Sequence, residues 1–332
     1  MTEQLQVPPA EFQSYYGRPI LKVSRWKEPH LPAYLFLGEL SGALAMVGTI
    51  ADATGRTSLA RTARLASAAG AYGGGAFLTV ELGRPERFLN MLRVAKPTSP
   101  MSMGSWILLA HSGLVSAAAA SEVTGRLGGL GRLAGAASAL TGPLLAAYPG
   151  VLLANTAVPA WHEAYRELPL LFAGGALTAA GAAGLAASAV SRDRADFGAA
   201  YRLAVIGAGI ESLAGYGLET RPGLSAEPYR TGPGGRMLTV ARYLTLGGGV
   251  VALGARRSRT AAAVSAALLT GGGLAAKFAV LRAGKASAAD PRYVVASQRP
   301  DRAGLTAEAA SPSPRRTRRR SASPAGAGQS AG

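Results

Sequence analysis

Several side chains that can form hydrogen bonds or exchange protons lie inside stretches that are otherwise apolar. At a rise of about 1.5 Å per residue, Glu39, His111 and Tyr148 lie roughly 10 Å inside three such stretches, and Tyr72 lies at a similar level in a fourth. Ionisable groups inside apolar helices are rare and are usually functional. A carboxyl group, an imidazole and phenols at one depth could bind a polar head group and exchange its protons.

The later part of the chain repeats this pattern with charges of both signs. Glu211, Arg242 and Lys277 lie near the same face as the first set. Their complementary signs would allow them to pair, and the three could also form a proton path. The opposite half of the apolar region has almost nothing comparable, so the sequence predicts one polar pocket close to one face.

Each of these residues also has a structural interpretation. Glu39 could form a buried ion pair with Lys277 or Arg242, and His111 could hydrogen-bond a neighbouring helix. The two tyrosines could be packing residues or interface anchors, and the charged set could hold helices together. The pattern leaves these alternatives open.

Eight apolar segments must position these side chains. Hydrophobic residues make up 48% of the 332 residues and charged residues only 16%, whereas about a quarter of an average soluble protein is charged. About 20 mostly apolar residues span a bilayer as a helix. Segments of this kind cover residues 33–53, 63–81, 104–122, 133–155, 168–190, 199–219, 237–255 and 261–282. The sequence therefore predicts an all-α integral membrane protein with eight transmembrane helices in two four-helix bundles.

This organisation divides the chain into four parts. Residues 1–32 form an extramembrane segment, residues 33–155 the first bundle with the pocket, and residues 156–285 the second bundle. Residues 286–332 are rich in Ser, Pro, Ala and Arg, a composition typical of a disordered basic tail.

The distribution of positive charge predicts an orientation. With eight spans both termini lie on one face, and arginines in short loops favour the cytoplasm, so the termini are expected to be extracytoplasmic. The short loops of the opposite face carry Arg56, Arg61, Arg64, Arg126, Arg132, Arg192, Arg194, Arg202, Arg256, Arg257 and Arg259. The net charge of +17 suits contact with anionic lipid, and no aromatic stacking motif accompanies it, so nucleic acid is not an expected partner.

The composition also restricts the redox groups this chain could hold. It contains no cysteine, which excludes disulfides, thiolate-bound iron–sulfur clusters and covalently attached haem. A haem b between helices needs two facing histidines, and only His111 of the three lies well inside a span. No metal-binding or nucleotide-binding motif is present, so no cofactor is expected in this chain.

One connection has a distinctive sequence. Residues 81–106 read ELGRPERFLNMLRVAKPTSPMSMGSW, with an acid before LGRP, then RF, SPMS and Gly-Ser-Trp. This resembles the NrfD family of polysulfide reductase membrane subunits, in its compact eight-helix form. YLFLGELSGA at 34–43, YPGVLLANTAVPAWHEA at 148–164 and AGKASAADPRYVV at 283–295 agree, so the resemblance covers about residues 15–298. Two departures are Glu39, where many relatives have Gly, and Glu81, where Asp is common.

The resemblance implies a quinone- or quinol-binding subunit that carries no redox cofactor of its own. Its menaquinone or ubiquinone site would lie in the first bundle, near the face that bears the termini. Electrons would pass between the quinone pool of the cell membrane and a ferredoxin-like iron–sulfur subunit. That subunit would connect to a molybdopterin enzyme, such as a formate-dehydrogenase-like protein, or to a cytochrome, so this chain would have no turnover alone.

Roles for individual residues follow as hypotheses. Catalytic proton exchange is assigned to Glu39, Glu81 and His111. Quinone binding is assigned to His30, Tyr34, Tyr148, Asn155 and His162. Arg84, Arg87 and Arg93 are assigned to the acidic surface of the iron–sulfur partner, and Glu211, Arg242 and Lys277 to a proton path.

Two other functional classes remain open. A structural membrane anchor for a redox complex would bind no quinone. A proton- or ion-translocating transporter would favour inverted repeats with broken helices at the midplane. No second copy of the 81–106 connection occurs in the chain.

Overall fold

The computed structural model describes residues 20–84, 86–191, 194 and 197–298. Within these residues all regular secondary structure is helical. The long helices are α1 (His30–Ala53), α2 (Thr57–Leu82), α3 (Pro100–Thr124), α4 (Gly128–Ala154), α5 (Glu167–Val190), α6 (Gly198–Thr220), α7 (Gly232–Ala255) and α8 (Arg259–Ala289). Short helices cover Arg87–Met91, Pro159–His162, Glu227–Arg230 and Pro291–Gln298, and a 3₁₀ turn covers Leu224–Ala226.

Six of the long helices in the described part of the chain are long and apolar enough to cross a membrane. They are α1, α3, α4, α5, α7 and α8. The other two, α2 and α6, coincide with predicted spans but are less apolar, because α2 contains Arg61 and Arg64 and α6 contains Arg202, Glu211 and Glu219. The chain is a helical membrane protein.

Local sequence sets where several helices begin. The Ser99 hydroxyl accepts a hydrogen bond from the Ser102 N–H at the start of α3, and Pro100 occupies the first turn. Ser258 caps α8 in the same way through the Ala261 N–H. These caps satisfy backbone N–H groups that the helix itself leaves free, so both helices begin before their apolar stretches do.

The helices associate in two groups of four. In the first group, α1 packs against α2 and α4, and α3 packs against α4 and α2. In the second group, α5 packs against α6 and α8, and α7 packs against α8 and α6. The groups meet where α1 and α4 contact α5 and where α1 contacts α8, so α1 belongs to both the first group and the boundary.

Small residues allow the backbones to approach closely. At the crossing of α1 and α4, a Cβ on Gly42 would lie 2.3 Å from the carbonyl oxygen of Gly142, and a Cβ on Gly142 would lie 2.3 Å from that of Gly42. At the crossing of α5 and α6, a Cβ on Gly181 would lie 2.3 Å from the Ala204 nitrogen. Helix association in lipid depends on such packing, so these glycines fix the crossings.

The predicted tail was wrong at its beginning. The last long helix continues to Ala289 and the helix Pro291–Gln298 follows it, so residues 286–298 are helical except for Asp290. Tyr293 and Val294 are buried, which shows that this segment packs against the protein. Apolar contacts outweigh the polar composition here. Residues 299–332 lie outside the described residues.

The α1–α4 crossing gives a stability prediction. We expect Gly42→Ala to lower the free energy of unfolding by about 1–3 kcal/mol, because its methyl group would overlap the Gly142 backbone. Thermal unfolding in detergent measures this. Gly113→Ala on α3 is the matched control, since its Cβ would meet nothing within 4 Å. Equal stability of the two variants would contradict the close approach.

Candidate functional site

A buried ion pair joins the two helix groups. The Lys277 ammonium on α8 lies 2.9 Å from a Glu39 carboxylate oxygen on α1, and both side chains are fully buried. The ammonium also lies 4.6 Å from the centre of the Phe172 ring on α5. A cation above an aromatic ring is stabilised by the ring's electrons, so Phe172 supplements the carboxylate.

A third ionisable group approaches this pair. A Cβ on Gly175 of α5 would lie 2.8 Å from the Lys277 nitrogen, 3.0 Å from Glu39 Oε2 and 3.5 Å from Glu211 Oε1. The three groups therefore converge on one glycine, whose missing side chain leaves room for them. With both carboxylates ionised, the cluster has a formal charge of −1. Since uncompensated buried charge is costly, it can hold one exchangeable proton.

Arg242 has a different partner from those predicted. Its guanidinium forms an ion pair with Glu219 of α6, a residue that the sequence analysis did not select. Glu219 and Arg242 line a small cavity between α6 and α7, together with Glu211 and Ser212. Arg242 is therefore connected to Glu211 through this cavity, while Lys277 lies on the far side of Glu211 with Glu39.

A polar seam runs through the inside of the first helix group. Residues seven apart lie on nearly the same side of a helix, separated by about two turns. Each helix of this group contributes two residues at that spacing: Tyr34 and Ser41 on α1, Ser67 and Gly74 on α2, Gly104 and His111 on α3, and Thr141 and Tyr148 on α4. The spacing produces two layers roughly 10 Å apart.

The upper layer contains two tyrosines. The hydroxyl groups of Tyr34 and Tyr148 are hydrogen-bonded to each other, with Tyr34 buried and Tyr148 partly buried. A Cβ on Gly104 would lie 2.3 Å from the Tyr148 ring, so only glycine accommodates the ring there. The layer lies near the helix ends that face the N-terminal segment.

The lower layer is centred on a fully buried imidazole. His111 Nε2 lies 3.0 Å from the Ser41 hydroxyl and Nδ1 lies 2.9 Å from the Thr141 hydroxyl. Ser41 in turn donates to the Ser67 carbonyl at 2.7 Å, so the network joins four helices. Both ring nitrogens have protein partners, as the structural interpretation of His111 requires.

The half of the first helix group beyond the lower layer also contains charged groups, contrary to the expectation from the sequence. Arg64 is buried in α2 rather than exposed in a loop, and it pairs with Asp52 at 2.8 Å and with Glu122. Asp52 and Glu122 lie about three turns beyond Ser41 and His111 on the same helix sides. α2 begins at Thr57, six residues before the predicted span, and this places Arg64 inside the helix.

The structure divides the predicted single layer into separate groups. Glu39 contacts the second helix group, while His111 and Tyr148 face the inside of the first. The physical reason is helical geometry: Glu39 and Ser41 are two residues apart, which turns their side chains about 200° from each other. Tyr72 is exposed and hydrogen-bonds Ser116 at 2.7 Å, so it lies outside the seam.

The remaining predicted residues lie at the end of the molecule that bears the N-terminal segment. Glu81 accepts a hydrogen bond from the Lys27 N–H at 2.8 Å and lies 3.5 Å from the His30 imidazole. The side chain of His162 is exposed, with Nδ1 3.0 Å from the Ala154 carbonyl, and Asn155 is exposed. Arg84, Arg87 and Arg93 are exposed beside the short helix Arg87–Met91.

Residues 22–210, more than half of the chain, match the family described as polysulphide reductase, NrfD. The chain belongs to the NrfD family. Proteins of this family are membrane subunits that associate with other redox subunits in polysulfide-reductase-type complexes. No curated protein matches the chain. The matched region of this NrfD protein contains the whole seam and Glu39, whereas Arg242 and Lys277 lie beyond it.

The distinctive 81–106 connection of the NrfD protein has structural roles. Ser99 and Pro100 begin α3, and the Ser102 hydroxyl donates to the Val94 carbonyl at 2.6 Å. Gly104 accommodates Tyr148, and the Trp106 indole donates to Val94 at 3.3 Å. The motif therefore fixes the start of α3 and holds the upper layer in place.

Sequence reasoning missed the hydroxyl and acidic partners of the site. Ser41 and Thr141 are common residue types in membrane helices, and Glu219 lies at the very end of α6, so nothing in their local sequence marks them. The seven-residue spacing would have found Ser41 and Thr141, because it relates them to Tyr34 and Tyr148.

The buried ion pair gives a test of charge complementarity. We expect Lys277→Met to lower the free energy of unfolding by about 3–5 kcal/mol, because it leaves the Glu39 carboxylate buried without a counter-ion. The double variant Glu39→Gln, Lys277→Met should regain most of this loss. A double-mutant cycle of thermal unfolding measures it, and additive losses would reject the pairing.

A second ion pair joins Arg282 in α8 to Glu28, which precedes α1 outside the membrane-spanning segments, and it predicts a pH response. Arg282 donates to Glu28 at 2.7 and 3.0 Å, and this hydrogen bonding lowers the pKa of the Glu28 carboxyl below its usual value of 4.5. A lowered pKa means that the pair stabilises the fold above pH 4.5 and is lost as the pH falls through the lowered value. Trp26, which stacks on Trp161 at 5.4 Å, should then change its fluorescence. Glu28→Gln should abolish this transition, and its persistence would assign it to another group.

Proposed function

We propose that this NrfD-family chain is the quinone-reactive membrane subunit of an oxidoreductase complex. It would exchange electrons between the quinone pool and an iron–sulfur partner, with menaquinone or ubiquinone as substrate. The observation that carries the proposal is the polar seam inside the matched region, with a tyrosine pair at one end and a histidine about two turns below it. An inert anchor has no need of such a seam.

The tyrosine pair is the proposed position of the head group. A quinone presents two carbonyl oxygens, and a quinol presents two hydroxyl groups. The hydroxyls of Tyr34 and Tyr148 bond to each other, and each can rotate to bond a quinone oxygen instead. Their position near the helix ends gives a short distance to a partner bound at that face.

Oxidation of a quinol releases two electrons and two protons, and this chain would supply proton acceptors. His30 and Glu81 lie 3.5 Å apart at the rim, the end of the molecule that bears the N-terminal segment. They are the proposed exit through which protons reach that face. His111 would exchange protons with the head group through Ser41 and Thr141. The Glu39–Lys277–Glu211 cluster, with the cavity next to Arg242, would act as a separate proton reservoir where the two helix groups meet.

The exposed surface near the rim is the proposed docking site of the iron–sulfur subunit. Arg84, Arg87 and Arg93 surround the short helix Arg87–Met91 and would meet acidic groups. His162 and Asn155, exposed at the same end, would close the quinone site on docking.

We further propose that all eight long helices cross the cell membrane, with extracytoplasmic termini, and that the complex includes a molybdopterin subunit.

One observation favours a second candidate, a structural anchor. Both nitrogens of His111 and the charge of Glu39 already have protein partners, as expected for groups that only hold helices together. This candidate predicts no quinone in the purified complex, and organic extraction followed by chromatography distinguishes the two.

Removal of one hydroxyl tests the quinone site directly. We expect Tyr148→Phe to lower quinone-linked electron transfer by about 100-fold, because the head group loses a proton-exchange partner. Electron transfer to a short-chain quinone analogue, measured in membranes that contain the assembled complex, gives the rate.

Tyr72→Phe is the matched control, since Tyr72 is exposed and bonded to Ser116 outside the seam. It should retain normal turnover. Normal turnover of Tyr148→Phe, or a purified complex without quinone, would count against the proposed site and favour the anchor.

A further inference from the structure

The two helix groups leave an apolar crevice between them, at the end opposite the tyrosine layer. Val47 and Ile50 of α1 form one wall, and Leu203 and Ile206 of α6 form the other. The space measures about 190 Å³ and is open on one side. Ile50 and Ile206 leave 61% and 55% of their surfaces exposed, so neither wall is covered by protein.

Two arginines mark the end of the crevice. Arg56 lies in the turn between α1 and α2, and Arg202 lies in the first turns of α6. Within the described part of the chain, neither side chain has a hydrogen bond or an ion pair. Arg64 nearby is paired with Asp52 and Glu122, so these two acids are not partners of Arg56 or Arg202. Among the described residues, the two guanidinium groups therefore lack a counter-charge.

The arrangement matches one class of ligand. The arginines lie at the level of the helix ends, while the apolar walls extend from there towards the membrane interior. An anionic phospholipid has the same polarity along its length, with a phosphate at the surface and acyl chains below. Basic residues between transmembrane helices recognise lipid phosphates, and Arg binds phosphate in a bidentate manner.

We propose that this crevice binds an anionic phospholipid, with its phosphate held by Arg56 and Arg202 and an acyl chain lying against α1 and α6. The lipid fills space that no side chain fills and contacts both helix groups. The lipid therefore stabilises the association of the two helix groups at this end, whereas the Glu39–Lys277 pair stabilises it in the middle.

Binding of phosphatidylglycerol to the purified full chain in detergent tests the proposal, with phosphatidylcholine as the neutral comparison. Native mass spectrometry counts the bound lipids, and thermal unfolding reports their effect. We expect the double variant Arg56→Gln, Arg202→Gln to bind phosphatidylglycerol about 30-fold more weakly. Each arginine near an anionic lipid contributes about 1 kcal/mol of binding free energy, and about 1.4 kcal/mol corresponds to a tenfold change in affinity. Phosphatidylglycerol should raise the unfolding temperature of the unchanged protein and leave that of the variant unaltered.

The control variant is Arg126→Gln, Arg132→Gln, which removes the same charge from two exposed positions, one in the turn before α4 and one in the first turns of α4. It should bind phosphatidylglycerol as the unchanged protein does. Equal weakening in both double variants would show a diffuse charge effect and overturn the site. Displacement by inorganic phosphate, or equal binding of phosphatidylglycerol with short acyl chains, would show a free-anion site and overturn the lipid assignment. None of these results depends on quinone activity.

Discussion

The ion pair between Glu39 and Lys277 constrains the rest of the structure. Removing two charges from water costs several kcal/mol for each ion, and only a close, well-placed partner recovers that cost. Glu39 lies on the first membrane helix and Lys277 on the last, so the pair forms only when the two helix groups have met in one register. Gly175 and Phe172 of α5 complete the environment of the pair, and three helices are thereby fixed relative to one another.

Because of this ion pair, opposite sides of α1 contact different parts of the molecule. One side carries Glu39 and meets α5 and α8. The other carries Tyr34 and Ser41 and meets the interior of the first group, where the polar seam runs. A single helix can serve both because its side chains point in all directions around the axis, about 100° apart for successive residues. The ionisable cluster at the boundary and the hydrogen-bonding groups in the seam are therefore close in depth yet separated by the helix itself.

Family membership and local physics agree on the first helix group. The matched residues 22–210 include every residue of the seam and the connection that begins α3. Within that connection each distinctive residue has a structural reason: Ser99 caps, Pro100 begins the helix, and Gly104 leaves room for the Tyr148 ring. Lys277 lies outside the matched region, so the pair with Glu39 connects the family's common part to the rest of the chain.

The sequence by itself determined the membrane class, the positions of the long helices and the family. These depend on the length of the apolar segments and on local motifs, both of which are visible in the order of residues along the chain. It also selected Glu39, His111, Glu211 and Lys277, because an ionisable group in an apolar segment stands out wherever it points, but not Arg64, which lies near a helix start. Tertiary structure alone decided the partners: Lys277 rather than Arg242 for Glu39, Glu219 for Arg242, and buried Arg64 for Asp52 and Glu122. Depth along a helix follows from counting residues, whereas the neighbour that a side chain meets depends on how each helix is rotated about its axis. That rotation is set by packing across the whole bundle, through contacts such as that between Gly42 and Gly142.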